Sequence, residues 1–553
     1  MPNRMIAAVL IPTSLLAAPA LHAQPLSEVE TARVEAVMQD IGAPEDPGVA
    51  VGIVRDGAVV FERYVGLADL SNGIPLGPDS RTNIASNAKQ YVALMVLDLA
   101  DQGRISMDED FRTYLPGALP EIEEAITVTN LITHTSGVRD IYDLWSLTGI
   151  TWYLQRQRNR EAMELLNRQR ELNFAPGSDY LYSNSNYILL AEMIAKVTGE
   201  RFDTYARWFF DRVGMEETGW KRVYSEVVPD LARAYGNWNG WREDPAIANL
   251  YGDGFLFTTL SDQLAWEAQV QGADSALSAD LVARSQTRPD AELPGEYGFG
   301  LELGIYRGVP AIEHIGSTGG YNAYLQRFPG QDVSVVLIGN TTEIGVVALG
   351  RALSDTLLEG SFGESQSYPT EPDKLLDRPA NSDITGRFLT DTGTIIRIVE
   401  RDGELYREID GCDPAKLVHE RGNLFEYETV PGLKMAFDRT DDGERRFRIY
   451  YPGQAVSAGL PYPEPSDDPV AKRALEGRYV NAETDTEIVI DWKDGTAFTM
   501  TKNGRARDAE LVTTDVLAWN NYRFRFQRDA SGAVDTLLVD NNRIRNVRFE
   551  RAD

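Results

Sequence analysis

The chain has 553 residues, 43% of them hydrophobic and 25% charged, which excludes wholesale disorder and, at this length, a single compact core. Its formal net charge of -30 argues against nucleic acid as a partner, because phosphates would be repelled; the acidity serves solubility. A single cysteine, Cys412, excludes an intramolecular disulfide, and four histidines with no HExxH or Cys/His cluster argue against a metal site.

In chain order, Arg4 precedes the apolar run MIAAVLIPTSLLAAPA, and small residues follow it. This is the layout of a secretory signal peptide over residues 1–23, with cleavage after Ala20 or Ala23. The expectation is an exported protein, periplasmic or secreted, without stable membrane insertion, since no later run is long and apolar enough to span a bilayer. A helix follows from Glu28 to Asp40, then a hairpin, GVAVGIVRDGAVVFERYVGLA, turning at Asp56-Gly57. Residues 86–102 place Ala88, Val92, Met95, Val96 and Leu99 at helical spacing, with Gly103 as a stop. Helical and irregular stretches alternate to about residue 290. Strand patterns return at 297–306, 311–316, 321–329 and 332–340, and a helix near Gly345 to Leu358 closes the region. Strands first, helices in the middle, then strands predict an α+β or α/β sandwich on an antiparallel sheet, over residues 24–365.

The stretch 363–383 is rich in Pro, Ser and acidic residues and reads as a linker. Short β-like runs then fill 380–460, and after the break LPYPEPSDDP they fill 470–553. Both segments open on a Gly-Arg-aromatic triplet (Gly386-Arg387-Phe388 and Gly477-Arg478-Tyr479) and close on an aromatic-basic strand. They read as two small all-β, barrel-like domains related by a weak duplication.

Three elements carry chemistry. Ser86-Asn87-Ala88-Lys89 is the single Ser-x-x-Lys of the chain, at the start of an apolar helix. A spacing of three puts hydroxyl and amine one turn apart, where a neutral amine can take the hydroxyl proton. The Ser86 backbone N–H at the helix start can hold developing negative charge. Tyr182-Ser183-Asn184 follows the Pro176-Gly177 turn and precedes an apolar helix expected near Tyr187. A phenol near a Lys can shuttle protons, and an Asn amide can orient a substrate amide. His314-Ile315-Gly316-Ser317 ends a β-like run, where Gly316 admits a close substrate backbone and the Ser317 N–H completes an oxyanion hole. Rival triplets are set aside. Tyr235-Gly236-Asn237 and Tyr479-Val480-Asn481 lack the turn-and-helix setting, and Lys493-Asp494-Gly495 and Lys502-Asn503-Gly504 read as hairpin turns. Ala455 to Gly459 resembles a nucleophile elbow, but no helix follows it.

The order Ser-x-x-Lys, Tyr-x-Asn, then Lys/His-x-Gly resembles the penicillin-recognising serine hydrolases: class C β-lactamases, DD-peptidases, D-aminopeptidases and related esterases. ISMDEDFRTYLP, LITHTSGVRDIYD, GDGFLFTTLSDQLAW and YGFGLELG are further similar stretches, so the resemblance spans roughly residues 27–360. It implies a β-lactamase/DD-peptidase-like catalytic domain with Ser86 as nucleophile, Lys89 as its base, Tyr182 as proton shuttle and Asn184, His314, Gly316 and Ser317 as substrate contacts. His314 stands where most β-lactamases and DD-peptidases carry Lys. The His form resembles the D-aminopeptidase branch, whose members also carry two C-terminal β-barrel domains that restrict the site.

The resulting expectation is a hydrolase of D-amino-acid peptides or amides acting through an acyl-enzyme, with no metal or organic cofactor. The alternatives are an esterase, a β-lactamase or DD-carboxypeptidase with the same residues, and a non-catalytic cell-wall or β-lactam sensor. Partners are a small peptide, amide or ester. Because an unperturbed His314 is mostly neutral at pH 7, donors with a free amine are expected to be preferred over substrates ending in a carboxylate, unless Arg327 folds back to supply a cation. The tail beyond about 370 is expected to be separable from the catalytic part while shaping access to it.

Overall fold

A computed structural model describes residues 25–39, 41–362, 371–372, 374–390, 394–409, 412–428, 432–440, 442–450, 456–493 and 497–552. The proposed signal peptide, Asp40, residues 363–370 and 373 of the first linker, Ala455 and the Asp494-Gly495 turn lie outside the described residues. Among those described, no helix is long and apolar enough to cross a membrane.

Helix α1 (Glu28–Met38) begins in a capping box, with Ser27 and Glu30 each satisfying the other's backbone N–H. Strands β1 (Val49–Arg55) and β2 (Ala58–Val65) form the expected hairpin. Asp56 (φ 50°) and Gly57 (φ 73°) both turn left-handed at its tip, as a tight two-residue hairpin turn requires. The helical middle contributes α2 (Lys89–Asp101), α3 (Ile141–Thr148), α4 (Asn184–Thr198) and α5 (Leu260–Val270), with smaller helices between them. Strands β3 (Glu302–Tyr306), β4 (Val309–Thr318), β5 (Tyr321–Phe328) and β6 (Val333–Gly339) then return, followed by α6 (Val346–Leu357). The sheet order is β3-β4-β5-β6-β1-β2, antiparallel throughout, so the first hairpin joins the last strands across β1 and β6.

The inner strands β1, β5 and β6 are almost wholly buried, because both faces are covered. Helices α1 and α6 pack one face around Val49, Val51, Tyr324, Leu337 and Leu353. Helix α5 covers the other, closing the larger core around α2 and α4. This is the α+β sandwich on an antiparallel sheet that the pattern predicts.

Two closed barrels follow, each of eight antiparallel strands taken in sequence order, one from Gly386 to Pro461 and one from Gly477 to Arg551. In both, the first strand pairs with the last, which removes open sheet edges. Phe388 and Tyr479, the aromatics of the repeated Gly-Arg-aromatic triplets, are fully buried at equivalent places in their first strands.

The second barrel is fastened to the catalytic domain by side chains of both. The buried guanidinium of Arg139 donates to Glu483 Oε2 at 2.6 Å and to the Asn546 carbonyl at 3.1 Å. Arg170 N–H reaches the other Glu483 oxygen at 2.9 Å, and Lys502 Nζ donates to the Ser146 carbonyl at 2.8 Å. A cut near residue 365, where the tail is expected to separate, would remove the Glu483 and Asn546 partners of Arg139 together with the barrel surface that carries them. The first barrel packs on the second, where Arg397 pairs with Glu510 at 2.7 Å and Arg387 donates to the Val512 carbonyl.

Candidate active site

The Ser86 turn is held from three sides. Residues Ala85–Ala88 form a 3-10 turn ahead of α2, so the helix proper starts at Lys89, three residues later than the spacing predicts. Ala85 takes a left-handed φ of 47°, a strained setting for a residue with a Cβ. Its N–H is fixed by Asn83 Oδ1 at 2.9 Å, and the Ile84 N–H by the Leu256 carbonyl at 3.0 Å. Two glycines admit the surrounding chain. A Cβ on Gly316 would lie 2.1 Å from the Ile84 carbonyl oxygen, and one on Gly300 would lie 2.4 Å from the backbone of Lys89 and Gln90. Gly316, expected to make room for a substrate backbone, makes room for the Ser86 turn.

Lys89 is fully buried, and its Nζ lies 3.1 Å from Ser86 Oγ, 2.9 Å from Asn184 Oδ1 and 2.5 Å from the Asp253 carbonyl oxygen. A neutral amine has two hydrogens and one lone pair. The Asn184 Oδ1 and the Asp253 carbonyl oxygen can only accept and take both hydrogens, which leaves the lone pair for the Ser86 hydroxyl. Burial pulls the Lys89 ammonium down to about 7; Asp253 and Asp140 oppose this and Arg543 assists it.

Tyr182 sits in the loop before α4, its ring centroid 4.9 Å from Lys89 Nζ. Burial raises its phenol well above the usual range, while a hydrogen bond with Ser86 pulls the other way. The ring leans on His134, 4.2 Å away between centroids. His134 Nδ1 accepts from the Ser183 N–H at 3.2 Å and lies 3.1 Å from Asn186 Nδ2, so His134 acts as a positioning residue for the Tyr182 loop.

Helix α4 starts at Asn184 rather than near Tyr187. The cap that makes this possible is Asp140, distant in sequence. Its Oδ2 accepts from the Asn184 N–H at 2.7 Å and from Asn184 Nδ2 at 2.8 Å, and its Oδ1 accepts from the Tyr142 N–H at 2.9 Å at the start of α3. One buried carboxylate thus caps two helices and turns the Asn184 carbonyl toward Lys89. The Asn184 amide, expected to orient a substrate, accepts from Lys89 Nζ and also lines the cavity.

Along β4, His314 and Gly316 are buried while Ile315 and Ser317 face outward, following strand alternation. His314 Nδ1 is 2.8 Å from the Ile315 carbonyl, which can only accept, so Nδ1 carries the hydrogen and Nε2 accepts from Tyr297 OH at 2.8 Å. Burial and the neighbouring Lys89 pull its imidazolium down to about 3, leaving the ring neutral. Glu313 points to the other face, where it accepts from Tyr324 OH at 2.5 Å. Arg327 does not fold back: it is buried against Glu267, with NH2 2.6 Å from Oε1 and Nε 2.7 Å from Oε2.

These groups open on a cavity of about 680 Å³ lined by Ser86, Tyr182, Asn184, His314 and Ser317. Its walls also include residues given no role by the sequence reading: Tyr142, Trp152, Tyr180, the acidic Asp140, Asp143, Asp253 and Glu302, and Arg543 from the second barrel. Asp253 Oδ2 accepts from Tyr142 OH at 2.5 Å; its other oxygen is buried without a partner among the described residues. Burial raises the Asp253 and Asp143 carboxyls to about 6 each. Asp140 and Asp253 lie inside the similar stretches HTSGVRD and GDGF, a signal that could have marked them. Nothing near Arg543 marks it. The rival triplets stay structural: Tyr235 OH accepts from the Leu70 N–H, Tyr479 OH donates to the Leu475 carbonyl, and Asn503-Gly504 is a left-handed hairpin turn. No group of three or more His, Cys, Asp or Glu side chains among the described residues is placed to hold a metal ion.

The family model described as Beta-lactamase matches residues 34–356, which contain the whole Ser86, Tyr182 and His314 arrangement. The chain belongs to the beta-lactamase family. Similar members include a D-aminopeptidase of Gluconobacter oxydans, 29% identical over 68% of this chain and 70% of that protein. A D-aminopeptidase of Cereibacter sphaeroides is 27% identical over 82% of this chain and 83% of its own length, which extends the likeness into the barrels. Among solved structures, the octameric penicillin-binding protein homologue from Pyrococcus abyssi shares the fold with a TM-score of 0.54 at 19% identity. That match covers 78% of this chain and 99% of the other. FmtA from Staphylococcus aureus matches 62% of this chain and 95% of its own, with a TM-score of 0.51 at 19% identity. As a beta-lactamase-family hydrolase, the protein has Ser86 and Tyr182 on the wall of one cavity, with the buried Lys89 amine 3.1 Å from Ser86 Oγ.

Proposed function

We propose that the protein hydrolyses peptides or amides of D-amino acids bearing a free N-terminal amine, through an acyl-enzyme on Ser86. The observation that carries this reading is the buried Lys89 amine, with both hydrogens engaged and its lone pair facing Ser86 Oγ at 3.1 Å. Ser86 Oγ attacks the substrate carbonyl as its proton passes to Lys89 Nζ. The carbonyl oxygen takes up the negative charge beside the backbone N–H groups of Ser86 and Ser317. Collapse breaks the C–N bond, and the leaving amine is protonated through Tyr182. Water then attacks the ester in the same way and releases the acid. The relatives named D-aminopeptidase support the substrate class. The acidic lining of Asp140, Asp143, Asp253 and Glu302 supports recognition of a substrate ammonium.

The test is a panel of D- and L-aminoacyl amides, short-chain esters and a chromogenic cephalosporin, combined with intact-mass detection of an adduct on Ser86. D-aminoacyl amides are expected to be the best substrates. Faster turnover of L-amides, simple esters or the cephalosporin would replace the aminopeptidase reading. The signal-like N-terminus supports export to the periplasm or beyond; the recovered protein should then begin at Leu21 or Gln24.

A further inference from the structure

We propose that Arg543 is the receptor for a carboxylate of the substrate, so that the preferred substrates are small D-amino-acid peptides carrying one near the scissile bond. This rests on the acyl-enzyme reading of Ser86, and it reverses the expectation, drawn from the neutral His314 alone, that a substrate ending in a carboxylate is disfavoured. Arg543 lies between the last two strands of the second barrel, Val534–Asn541 and Ile544–Arg551. That hairpin is pinned against the catalytic domain through its backbone. The Arg543 N–H donates to Asp143 Oδ2 at 2.7 Å, and its carbonyl accepts from the Asp140 N–H at 3.3 Å and from Asn173 Nδ2 at 3.2 Å. Arg545 N–H adds a bond to Asn173 Oδ1 at 2.7 Å.

The side chain is left free of that docking. Its guanidinium lines the cavity that holds Ser86, is 42% exposed, and donates no hydrogen bond to any described residue. Its nearest carboxylate oxygen, Asp140 Oδ2, is 3.9 Å away and already accepts two hydrogen bonds from Asn184. No other cation among the described residues offers open donors here. Lys89 is occupied, His314 is neutral, and Arg327 is matched by Glu267. A guanidinium with unused, forked donors, held over a reaction cavity by its own backbone, suits a planar carboxylate.

The carboxylate has two sources, the C-terminus of the leaving residue or the side chain of the acyl donor, and two substrate pairs separate them. D-alanyl-D-alanine against its C-terminal amide reads the first; D-glutamyl against D-glutaminyl p-nitroanilide reads the second. Ser86 labelling by a serine-reactive phosphonate serves as a common readout, with each compound also scored for protection of Ser86. In the wild type, at least one charged member should exceed its neutral isostere by roughly 10- to 100-fold, in kcat/KM or in protection. R543A should collapse that ratio toward one, R543K should retain part of it, and R543E should invert it. The ratio within one variant cancels any change in the reactivity of Ser86. All three variants keep the backbone bonds of the hairpin, and matching melting curves verify this. Ratios at or below one in the wild type, or ratios that R543A leaves unchanged in a labelled enzyme, overturn the assignment to Arg543 alone. If Ser86 is not labelled at all, the acyl-enzyme reading falls and this one falls with it.

Discussion

Arg543 holds its guanidinium 4.8 Å from the ring centroid of Tyr182, the same ring that Lys89 Nζ approaches to 4.9 Å. The phenol of the reaction centre therefore meets one cation from its own domain and one from the far end of the chain. The second barrel completes the electrostatics of the site as well as its wall, since Arg543 favours the neutral form of Lys89.

The activity should rise with pH through about 7, as Lys89 loses its proton and becomes a base. Its ammonium lies below the ordinary lysine range because burial disfavours the charge, so the active form gains population as pH increases. Removing Arg543 removes a repelling neighbour, which raises the Lys89 value and moves this limb of the kcat/KM profile to higher pH in R543A. An unmoved limb would separate Arg543 from the base.

Ser86→Ala should abolish acylation, and Lys89→Ala and Tyr182→Phe should each lower kcat by roughly 100-fold or more, the scale of a lost general acid–base group. Intact-mass spectrometry after a slow substrate checks the first, and steady-state kinetics check the others. Turnover by Ser86→Ala, or an adduct on another residue, would move the nucleophile elsewhere.

His314 should stay neutral, with its hydrogen on Nδ1, down to at least about pH 5, because its burial-depressed value is about 3. Nitrogen-detected NMR of the histidine rings reads the tautomer directly. An imidazolium signal at pH 5 would show that the Tyr297 and Ile315 hydrogen bonds do not hold the ring as described.

Gly316→Ala should lower kcat by about 100-fold or more, since its Cβ would lie 2.1 Å from the Ile84 carbonyl and displace the Ser86 turn. Gly304, with open space at its Cβ position, is the control in β3 and tolerates Ala. Equal activity of the two variants would show that the turn does not depend on this close approach.

Glu483→Ala should destabilise the protein by about 3–5 kcal/mol, because Arg139 is left buried without its counter-charge. Denaturant unfolding followed by tryptophan fluorescence measures this. A loss within about 0.5 kcal/mol would mean that water or Glu171, 3.8 Å from Arg139, takes over the charge.

Much of the fold was legible in order. The Asp56-Gly57 turn, the helical spacing after Ser86, and the run of strands from β3 to β6 are local patterns, and local spacing sets a helix face or a strand alternation without help from the rest of the chain. The same holds for Ser86 and Lys89, whose separation of three residues places them together on one turn. Tyr182 was visible through its neighbours in the motif. The starts of the helices were not: α4 begins at Asn184 because Asp140 caps it from another segment, and α2 begins at Lys89 because the Ser86 turn is pressed between Gly316, Gly300 and the Leu256 carbonyl.

The local sequence therefore singled out Ser86, Lys89 and Tyr182, and the tertiary structure decided what surrounds them. His314 reads as a substrate contact; it lines the cavity, and Tyr297 and the Ile315 carbonyl engage its two nitrogens. Arg327 reads as the available cation until Glu267 neutralises it. Arg543 carries no motif at all, and enters the site because Asp143, Asp140 and Asn173 fasten its hairpin there. Charge acts through space, so the groups that set the Lys89 proton affinity are chosen by distance in the folded chain, which spacing along the sequence does not encode beyond a turn or two of helix.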